Sequence, residues 1–594
     1  MKIIKDNLIT ITFILTSLIN SFILVNMTSG IGNIRFLAFD LVFLLFICCF
    51  SKYFKNKKRY YLIISTILTF ICLINSFFYN EYNDFLSVYL LETFFQALKL
   101  PSEAITNVFE IKDFIFIIQI LIMILISIFV KDNSKNISFK YPSFLLVILL
   151  LTFNANDFYR FKNTWNNVYQ INNFGVYSYQ LKDIMEVALL QFDDLGKTKA
   201  INEVEEYYSL KEDKKDNKYT NIFKDKNVLL IHLESIQTMF VEASINGQAI
   251  MPNLSKLASN GLYFTNYYST ESVGTSSDAE FTFNNSILPV GMGTIFLNYE
   301  NNNYQSSIEL LNKMGYYTFS MHGNKCDYWN RNNMYKEFGY QHFYCYDDYD
   351  LTDKIGLGLS DKSFFNQSAD VIKQISDEHD KFYGTLITLT NHTPFYNNGK
   401  VTFDVGDLEG TIIGDYIKLV HYADEAIGEF INKLDKLNLL EDTVIIFYGD
   451  HDAKFKTSDY EAYLKSVYNN SNNLDFYEYE DLTKVPLLIW TKEGSVKGRI
   501  DKLMSVMDVM PTLGNMLGFE SDYALGNDIF NIEDNIVVFP NGNFRTDKVY
   551  YNAQTDNYKA YSEIDLNYIK EKEEYAKKIV EISNYLVKYN LIKD

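Results

Sequence analysis

A polytopic α-helical membrane domain followed by an extracellular α/β domain with a mainly parallel sheet is the architecture that this 594-residue sequence predicts. Three observations carry it. Long apolar runs stop at about residue 156, short β-rich runs alternate with helical patterns from about residue 226, and all seven histidines lie beyond residue 230. The expected division is 1–156, five spans; 157–219, a helical linker; and 220–594, a globular domain ending in a helical tail.

Crossing a hydrocarbon core takes about 20 apolar residues. Stretches 8–26, 34–51, 60–78, 113–130 and 142–156 reach or approach that length. The last has the shortest apolar run and is counted because the loop charges favour an odd number of spans. Lys2 and Lys5 precede the first span; Lys52, Lys55, Lys57, Lys58 and Arg59 follow the second; Lys131, Lys135 and Lys140 follow the fourth. The alternate loops, near 27–33 and 79–112, are poor in both residue types. The positive-inside rule therefore puts the amino terminus in the cytoplasm and everything beyond about residue 157 outside. The first segment is long and lacks a small-residue cleavage site, which argues against a cleaved signal peptide.

Residues 157–219 contain DIMEVALLQF and then VEEYYSLKEDKKDNKY, a charged helical connector whose KEDKKDNK run reads as solvated. A net charge of −20 excludes a binder of nucleic-acid backbone. Of the cysteines, Cys48, Cys49 and Cys72 fall in spans and Cys326 and Cys345 outside them. Two cysteines are not a disulfide framework, so a bridge between them stays open.

The strand candidates in the second domain are NVLLIHLES (227–235), YYTFSMHGN (316–324), FYGTLITLTNH (382–392), TVIIFYGDHD (443–452) and VPLLIW (485–490), with a long helix in 416–437. Four of the five end in groups that bind metal or phosphate: HLES, HGN, TNH and GDHD. Ligands of open α/β sheets sit beyond the carboxyl ends of strands, so these clusters are expected to converge.

Glu234, Asp450 and His451 are ligands that suit Mn²⁺, Mg²⁺ or Zn²⁺, and an oxygen-rich set with one nitrogen fits Mn²⁺ well. Alone, a strand-end Asp-His pair is as readily a turn and Glu234 a helix-start carboxylate; together with a hydroxyl loop they point to a metal centre. That loop is ESVGTSSDAEF, residues 271–281. Ser277-Asp278-Ala279-Glu280 has the spacing of a capping box, and Thr275-x-x-Asp278 has a similar spacing. A hydroxyl at the positive end of a helix, beside a metal, is placed to attack phosphorus. Spacing leaves both Thr275 and Ser276 as the nucleophile.

The ordered set HLES, GTSSDAEF, MHGNKCDYWNR, LTLTNHTPF, YGDHD and MDVMPTLGNMLG resembles the lipoteichoic acid synthase family, membrane-anchored members of the alkaline phosphatase and sulfatase superfamily. The resemblance covers nearly the whole chain and implies a sulfatase/alkaline-phosphatase-like catalytic domain. It also implies phosphoglycerol transfer from phosphatidylglycerol to a glycolipid or polymer acceptor, through a covalent intermediate and a single Mn²⁺, with Mg²⁺ as the alternative. Glu234, Asp450 and His451 match the metal ligands. The family nucleophile, usually threonine, directly precedes Ser-Asp-x-Glu-Phe, which selects Ser276 as nucleophile and fourth ligand, with Thr275 the alternative. Trp329, Arg331 and His392 match residues that hold glycerophosphate, His322 lines the same pocket, and Asn324 stands where the family has aspartate. Arg331 offers a fork of donors to phosphate, and His392 a hydrogen bond or a proton. A phosphoethanolamine transferase, a primase or a phosphodiesterase on the same site, or a non-catalytic polymer-binding membrane protein, are the rival readings. His342, His379 and His421 read as structural. The sulfatase signature Cys-x-Pro-x-Arg is absent.

Overall fold

A computed structural model describes residues 6–30, 33–82, 85–90, 111–131, 136–162, 167–189, 194–211, 215–291, 293–397 and 399–593. Lys2, Lys5, Lys135 and most of the loop 79–112, read above for charge, lie outside the described residues. The chain divides into two compact units, residues 1–194 with 291–293 and 554–556, and the remainder.

In the first unit, α1 (Leu8–Met27), α2 (Arg35–Phe50), α3 (Lys57–Tyr82) and α4 (Ile118–Phe129, entered through a 3₁₀ stretch at Ile111–Ile117) supply the apolar segments. Among the described residues, four helical segments are long and apolar enough to cross a membrane: Leu8–Met27, Arg35–Tyr53, Lys57–Asn80 and Ile111–Phe129. The fifth expected span is not among them: its residues form α5 (Lys140–Leu150), an apolar helix of 11 residues, short of the length that crosses a hydrocarbon core. Exposed Leu15, Ile19 and Phe22 on α1, and Leu121, Leu125 and Ile128 on α4, suit an apolar solvent. Such a solvent leaves backbone groups no partner outside the helix, which is why these segments are helical.

Polar contacts knit the helices. Gln119 donates to Ser17 at 2.7 Å and accepts from Asn20 at 2.7 Å and Thr69 at 3.2 Å, joining α1, α3 and α4. Interhelical bonds of this kind contribute about 0.6 kcal/mol each.

Three further helices follow, α6 (Ala155–Lys162), α7 (Asn167–Phe174) and α8 (Val176–Leu189). Residues 167–189, expected to be linker, pack into this unit: Ile171, Val176, Tyr177 and Tyr179 share a buried core with Phe13, Leu24 and Leu68. Asp40 accepts from the Val176 and Tyr177 amides at 3.1 and 3.0 Å, capping the first turn of α8. Gly175 takes φ +91° between α7 and α8, and a Cβ there would come within 2.4 Å of the Asp40 carboxylate. Apolar residues within a polar-looking stretch made these helices part of a core.

The second unit opens with α9 (Asp194–Ser209) and is built on an eight-stranded sheet. Its strands are β1 (Asn227–Leu233), β2 (Leu262–Phe264), β3 (Tyr317–His322), β4 (His342–Tyr344), β5 (Phe382–Ile387), β6 (Thr443–Gly449), β7 (Leu487–Thr491) and β8 (Gly498–Ile500), in spatial order β8-β2-β7-β6-β1-β5-β3-β4. The pairs β6/β1, β1/β5, β5/β3 and β3/β4 are parallel, whereas β7 is antiparallel to both neighbours. All five expected strands are present. The four that end in functional clusters are adjacent and point the same way; the fifth, without a cluster, runs against them. Every residue of β5 and β6 is buried, as expected of strands covered on both faces.

Helices α10 (Ser276–Asn285), α11 (Arg331–Phe338), α12 (Asp361–Glu378) and α13 (Ile412–Lys436) belong to this unit, and the helical tail is α14 (Leu566–Lys588). A small antiparallel sheet of β9 (Val537–Val538), β10 (Phe544–Arg545), β11 (Val549–Asn552) and β12 (Asn557–Ala560) precedes that tail. Asp508, at the start of a helix as expected, turns its carboxylate back to the Ser505 amide at 2.9 Å.

Cys326 and Cys345 form a disulfide that joins the loop after β3 to the end of β4 across 19 residues of sequence. Closing a loop of this size stabilises the folded state by about 3 kcal/mol. Reducing the bridge, or replacing both cysteines by serine, is therefore expected to lower the guanidinium midpoint; coincident unfolding curves would contradict this.

Candidate active site

The carboxyl ends of β1 and β6 bring the metal-type residues together. Ser276 Oγ lies 3.3 Å from Glu234 Oε2 and 3.2 Å from His451 Nε2. His451 Nε2 is 3.6 Å from Glu234 Oε1 and 3.3 Å from Asp450 Oδ2. All four side chains are buried. The expected quartet is thus one cluster, assembled from two adjacent strand ends and the start of α10.

The local chain fixes each member. Glu234 donates its amide to Thr388 Oγ1 at 2.9 Å, and its Oε1 accepts from Ser235 Oγ at 2.8 Å. Asp450 Oδ1 accepts the amides of Ser235 and His451, each at 2.8 Å. His451 Nδ1 lies 2.7 Å from the Asp452 carbonyl, which can only accept, so Nδ1 carries a proton and Nε2 is the nitrogen that faces the cluster, with a lone pair for a cation that displaces its proton.

Electrostatics favour a cation here. Burial alone would lower the His451 pKa, but the Asp450 and Glu234 carboxylates hold it up at about 9. For Asp450, burial acts upward and is outweighed by His451 and His232, which hold the carboxyl below its usual range.

His232 was not singled out from the sequence as a site residue. Its Nε2 lies 2.9 Å from Asp450 Oδ2, an ion-pair contact whose geometry makes no hydrogen bond, so both buried atoms lack one. Ligand atoms of His232, Glu234 and Asp450 all fall within 4.8 Å of one another. Orphaned buried atoms on an oxygen-and-imidazole set are what a divalent cation satisfies. The signal was the strand period: residues 232 and 234 share a face of β1.

The hydroxyl loop departs from its expected capping. Helix α10 starts at Ser276 with Thr275 as N-cap, at φ 41° and ψ −113°, and no side-chain cap forms. Ser277 Oγ donates instead to the Gly274 carbonyl at 2.7 Å. Asp278 Oδ2 accepts the amides of Ser272 and Gly274 at 3.0 and 2.9 Å, tying the loop down from beneath. A Cβ at Gly274 would lie 2.3 Å from Asp278 Oδ1, so the loop closes only over glycine. Thr275, in a backbone region that strains non-glycine residues, sits between this anchored loop and Ser276.

Arg331, first residue of α11, is buried, with Nε and Nη2 at 3.0 and 2.6 Å from Glu280 Oε1. Its expected fork is therefore turned inward. Nη1 is the nitrogen left buried and unpartnered. Trp329 is half-buried one step away, and Trp329 and Asn330 adopt φ 56° and 58°. His322 Nδ1 donates to the Ile387 carbonyl at 3.1 Å; burial first, and then the Arg331 charge, hold its pKa well below the usual imidazole value, so it is neutral. Arg331, His232 and His392 all act electrostatically on it. His392, half-buried, donates Nδ1–H to the Thr393 carbonyl at 2.6 Å and keeps Nε2 for a ligand. His379 and His421 stack on Tyr317 and Phe403, and His342 packs at a tilt against Tyr344.

Comparison with known proteins gives a consistent picture. Residues 1–190 match the family model described as the lipoteichoic acid synthase N-terminal domain, and 226–519 match that described as sulfatase. Lipoteichoic acid synthase 2 of Bacillus subtilis is 30% identical over 504 residues, covering 81% of this chain and 76% of the relative. Lipoteichoic acid synthase of Staphylococcus aureus (strain USA300) is 32% identical over 485 residues, covering 76% and 72%. Among solved structures, a lipoteichoic acid synthase from Listeria monocytogenes superposes with a TM-score of 0.59 at 29% identity, over 66% of this chain and 98% of that one. An alkaline phosphatase superfamily protein from Vibrio parahaemolyticus shares the fold, with TM-score 0.50, 21% identity, and coverage of 67% and 98%.

The cluster predicts that Mn²⁺ raises the thermal midpoint, with about 2.7 kcal/mol of stabilisation at a hundredfold excess over the dissociation constant. Asp450→Asn should lose both the shift and the calorimetric binding signal; an equal response of that variant would remove Asp450 from the metal site.

Proposed function

Because the chain belongs to the lipoteichoic acid synthase family, we propose that it transfers glycerophosphate from phosphatidylglycerol to a glycolipid or a growing polyglycerophosphate chain outside the cell membrane. The observation that carries this reading is Ser276 Oγ, a helix-start hydroxyl 3.2 Å from His451 Nε2 and 3.3 Å from Glu234 Oε2.

Glu234, Asp450, His451 and Ser276 would hold the divalent cation, with His232 behind Asp450, and the oxygen-rich set favours Mn²⁺, with Mg²⁺ next. When bound, the cation supplies Lewis-acid stabilisation of the serine oxygen and of charge on the phosphoryl group. Ser276 Oγ is hydrogen-bonded towards Glu234, the direction in which its proton leaves. That oxygen attacks the lipid phosphorus, the bond to the diacylglycerol oxygen breaks, and the glycerophosphoryl group is carried as a serine phosphodiester. His392 Nε2 is the proton site: its protonated form gives a proton to the departing diacylglycerol, and its neutral form then takes one from the acceptor hydroxyl. Attack by that hydroxyl breaks the bond between phosphorus and Ser276 Oγ, the serine oxygen takes back its proton from the Glu234 side, and the acceptor is longer by one unit. Arg331 Nη1 donates to a phosphoryl oxygen, neutral His322 accepts from a glycerol hydroxyl, and Trp329 forms a wall for the glycerol.

The disulfide supports an extracytoplasmic catalytic unit, since such bridges persist in oxidising compartments. So does the run of lysines and arginine between α2 and α3, which favours a cytoplasmic loop there.

Two outcomes test the reading. Purified chain loaded with Mn²⁺ is expected to release diacylglycerol from a fluorescent phosphatidylglycerol analogue, and Ser276→Ala to lower turnover by more than about 10³-fold. Thr275→Ala should retain it; loss in Thr275→Ala alone would move the nucleophile by one residue. Mass spectrometry of the products separates the rivals. Glycerophosphate added repeatedly to the acceptor is expected, whereas a single addition means a primase, free glycerophosphate a phosphodiesterase, and reaction with phosphatidylethanolamine a phosphoethanolamine transferase.

A further inference from the structure

Glu280 is a buried carboxylate that none of the steps above uses, and it lies on the helix that presents Ser276. Residues four apart on a helix share a face, so Ser276 and Glu280 look out of α10 on the same side, one turn apart. Glu280 Oε1 takes both Nε and Nη2 of Arg331, at 3.0 and 2.6 Å, and Oε2 takes the Tyr335 hydroxyl at 2.5 Å. Tyr335 stands on α11, four residues after Arg331, so two helices are locked through one carboxylate. Burial, and then Glu280, push the Tyr335 hydroxyl pKa well above its ordinary value, so it remains a donor at neutral pH. Both carboxylate oxygens are engaged, and Arg331 retains one unpartnered nitrogen, Nη1.

We propose that Glu280 and Tyr335 are positioning residues that aim Arg331 Nη1 at the transferring phosphoryl group and hold it in register with Ser276 Oγ. This rests on the reading that Arg331 contacts the substrate phosphate. A salt bridge kept only for stability would be indifferent to which arginine nitrogen is left free. Here one helix carries both the attacking oxygen and the group that orients the phosphate donor, so the two cannot drift independently. Misplacement by about 1 Å lowers rates by about 10²-fold.

The test uses the full-length, detergent-purified, Mn²⁺-loaded chain. Glu280→Gln is expected to lower kcat/KM for the phosphatidylglycerol analogue by about 10²-fold, and Tyr335→Phe by about 10-fold. Bound Mn²⁺ per chain should be unchanged, and affinity for inorganic phosphate should fall. Adding Glu280→Gln or Tyr335→Phe to Arg331→Lys should cause little further loss, because all three act through one nitrogen. Losses that multiply in the double variants, or variants within about twofold of wild type, would overturn the proposal. If Glu280→Gln fails to fold, Tyr335→Phe, which removes a single hydroxyl, decides it by the same criteria. Absence of turnover by wild type on any glycerophospholipid, with phosphate binding intact and lost in the variants, would sink the proposed function while leaving this positioning role standing.

Discussion

The catalytic unit depends on one electrostatic constraint: two carboxylates, Glu234 and Asp450, are buried against each other's surroundings with His451 and Ser276 between them. Removing an ionised carboxylate from water is expensive unless charge or hydrogen bonds replace the solvent. Asp450 Oδ1 meets that need with two backbone amides, and Oδ2 does not. The parallel arrangement of β6 and β1 brings both carboxylates to one edge, and that arrangement leaves a demand for positive charge that His451 meets only in part. The sheet order therefore sets up a place that would favour a cation before any ligand is considered.

The membrane unit solves a different problem with similar parts. An apolar surround makes each unsatisfied polar group costly, so Asn20, Gln119, Ser17 and Thr69 satisfy one another between helices. Asp40 is spent on the first turn of α8, where backbone amides have no carbonyl partner. Both units thus anchor buried carboxylates with backbone amides at helix or loop starts.

Strand ends were legible because their information is local: an apolar run followed by HLES, HGN, TNH or GDHD states both the element and its edge. The three short strands β2, β4 and β8 were not, since segments of 3 residues at or near the sheet's flanks carry no periodicity of their own. The Ser-x-x-Glu spacing was read as a capping box because such boxes are set by local sequence; tertiary contact overrode it when Arg331, 51 residues away, took the Glu280 carboxylate. The same contact turned the expected arginine fork inward. Residues 167–189 looked like linker because Asn, Gln and Tyr obscure the pattern, yet Ile171, Val176 and Tyr177 are buried. His232 was hidden by standing inside a strand, where histidine is ordinarily a packing residue.

The internal pairing of Arg331 with Glu280 also bears on turnover. In the proposed reaction the donor lipid, the serine-bound intermediate and the extended acceptor each carry the transferring phosphate as a singly charged diester. A pocket holding a large surplus of positive charge would bind all three tightly, and uniform binding does not accelerate the reaction. In the proposed site Glu280 neutralises Arg331 and the Glu234–Asp450 pair would balance a dication, so the phosphate would be recognised by direction through Nη1 instead of by a surplus of positive charge. Discrimination then rests on geometry that a correctly placed phosphoryl group fulfils in the transition state. A lipid-linked anionic product can leave such a pocket, which the proposed repeated transfer to one growing polyanion would require.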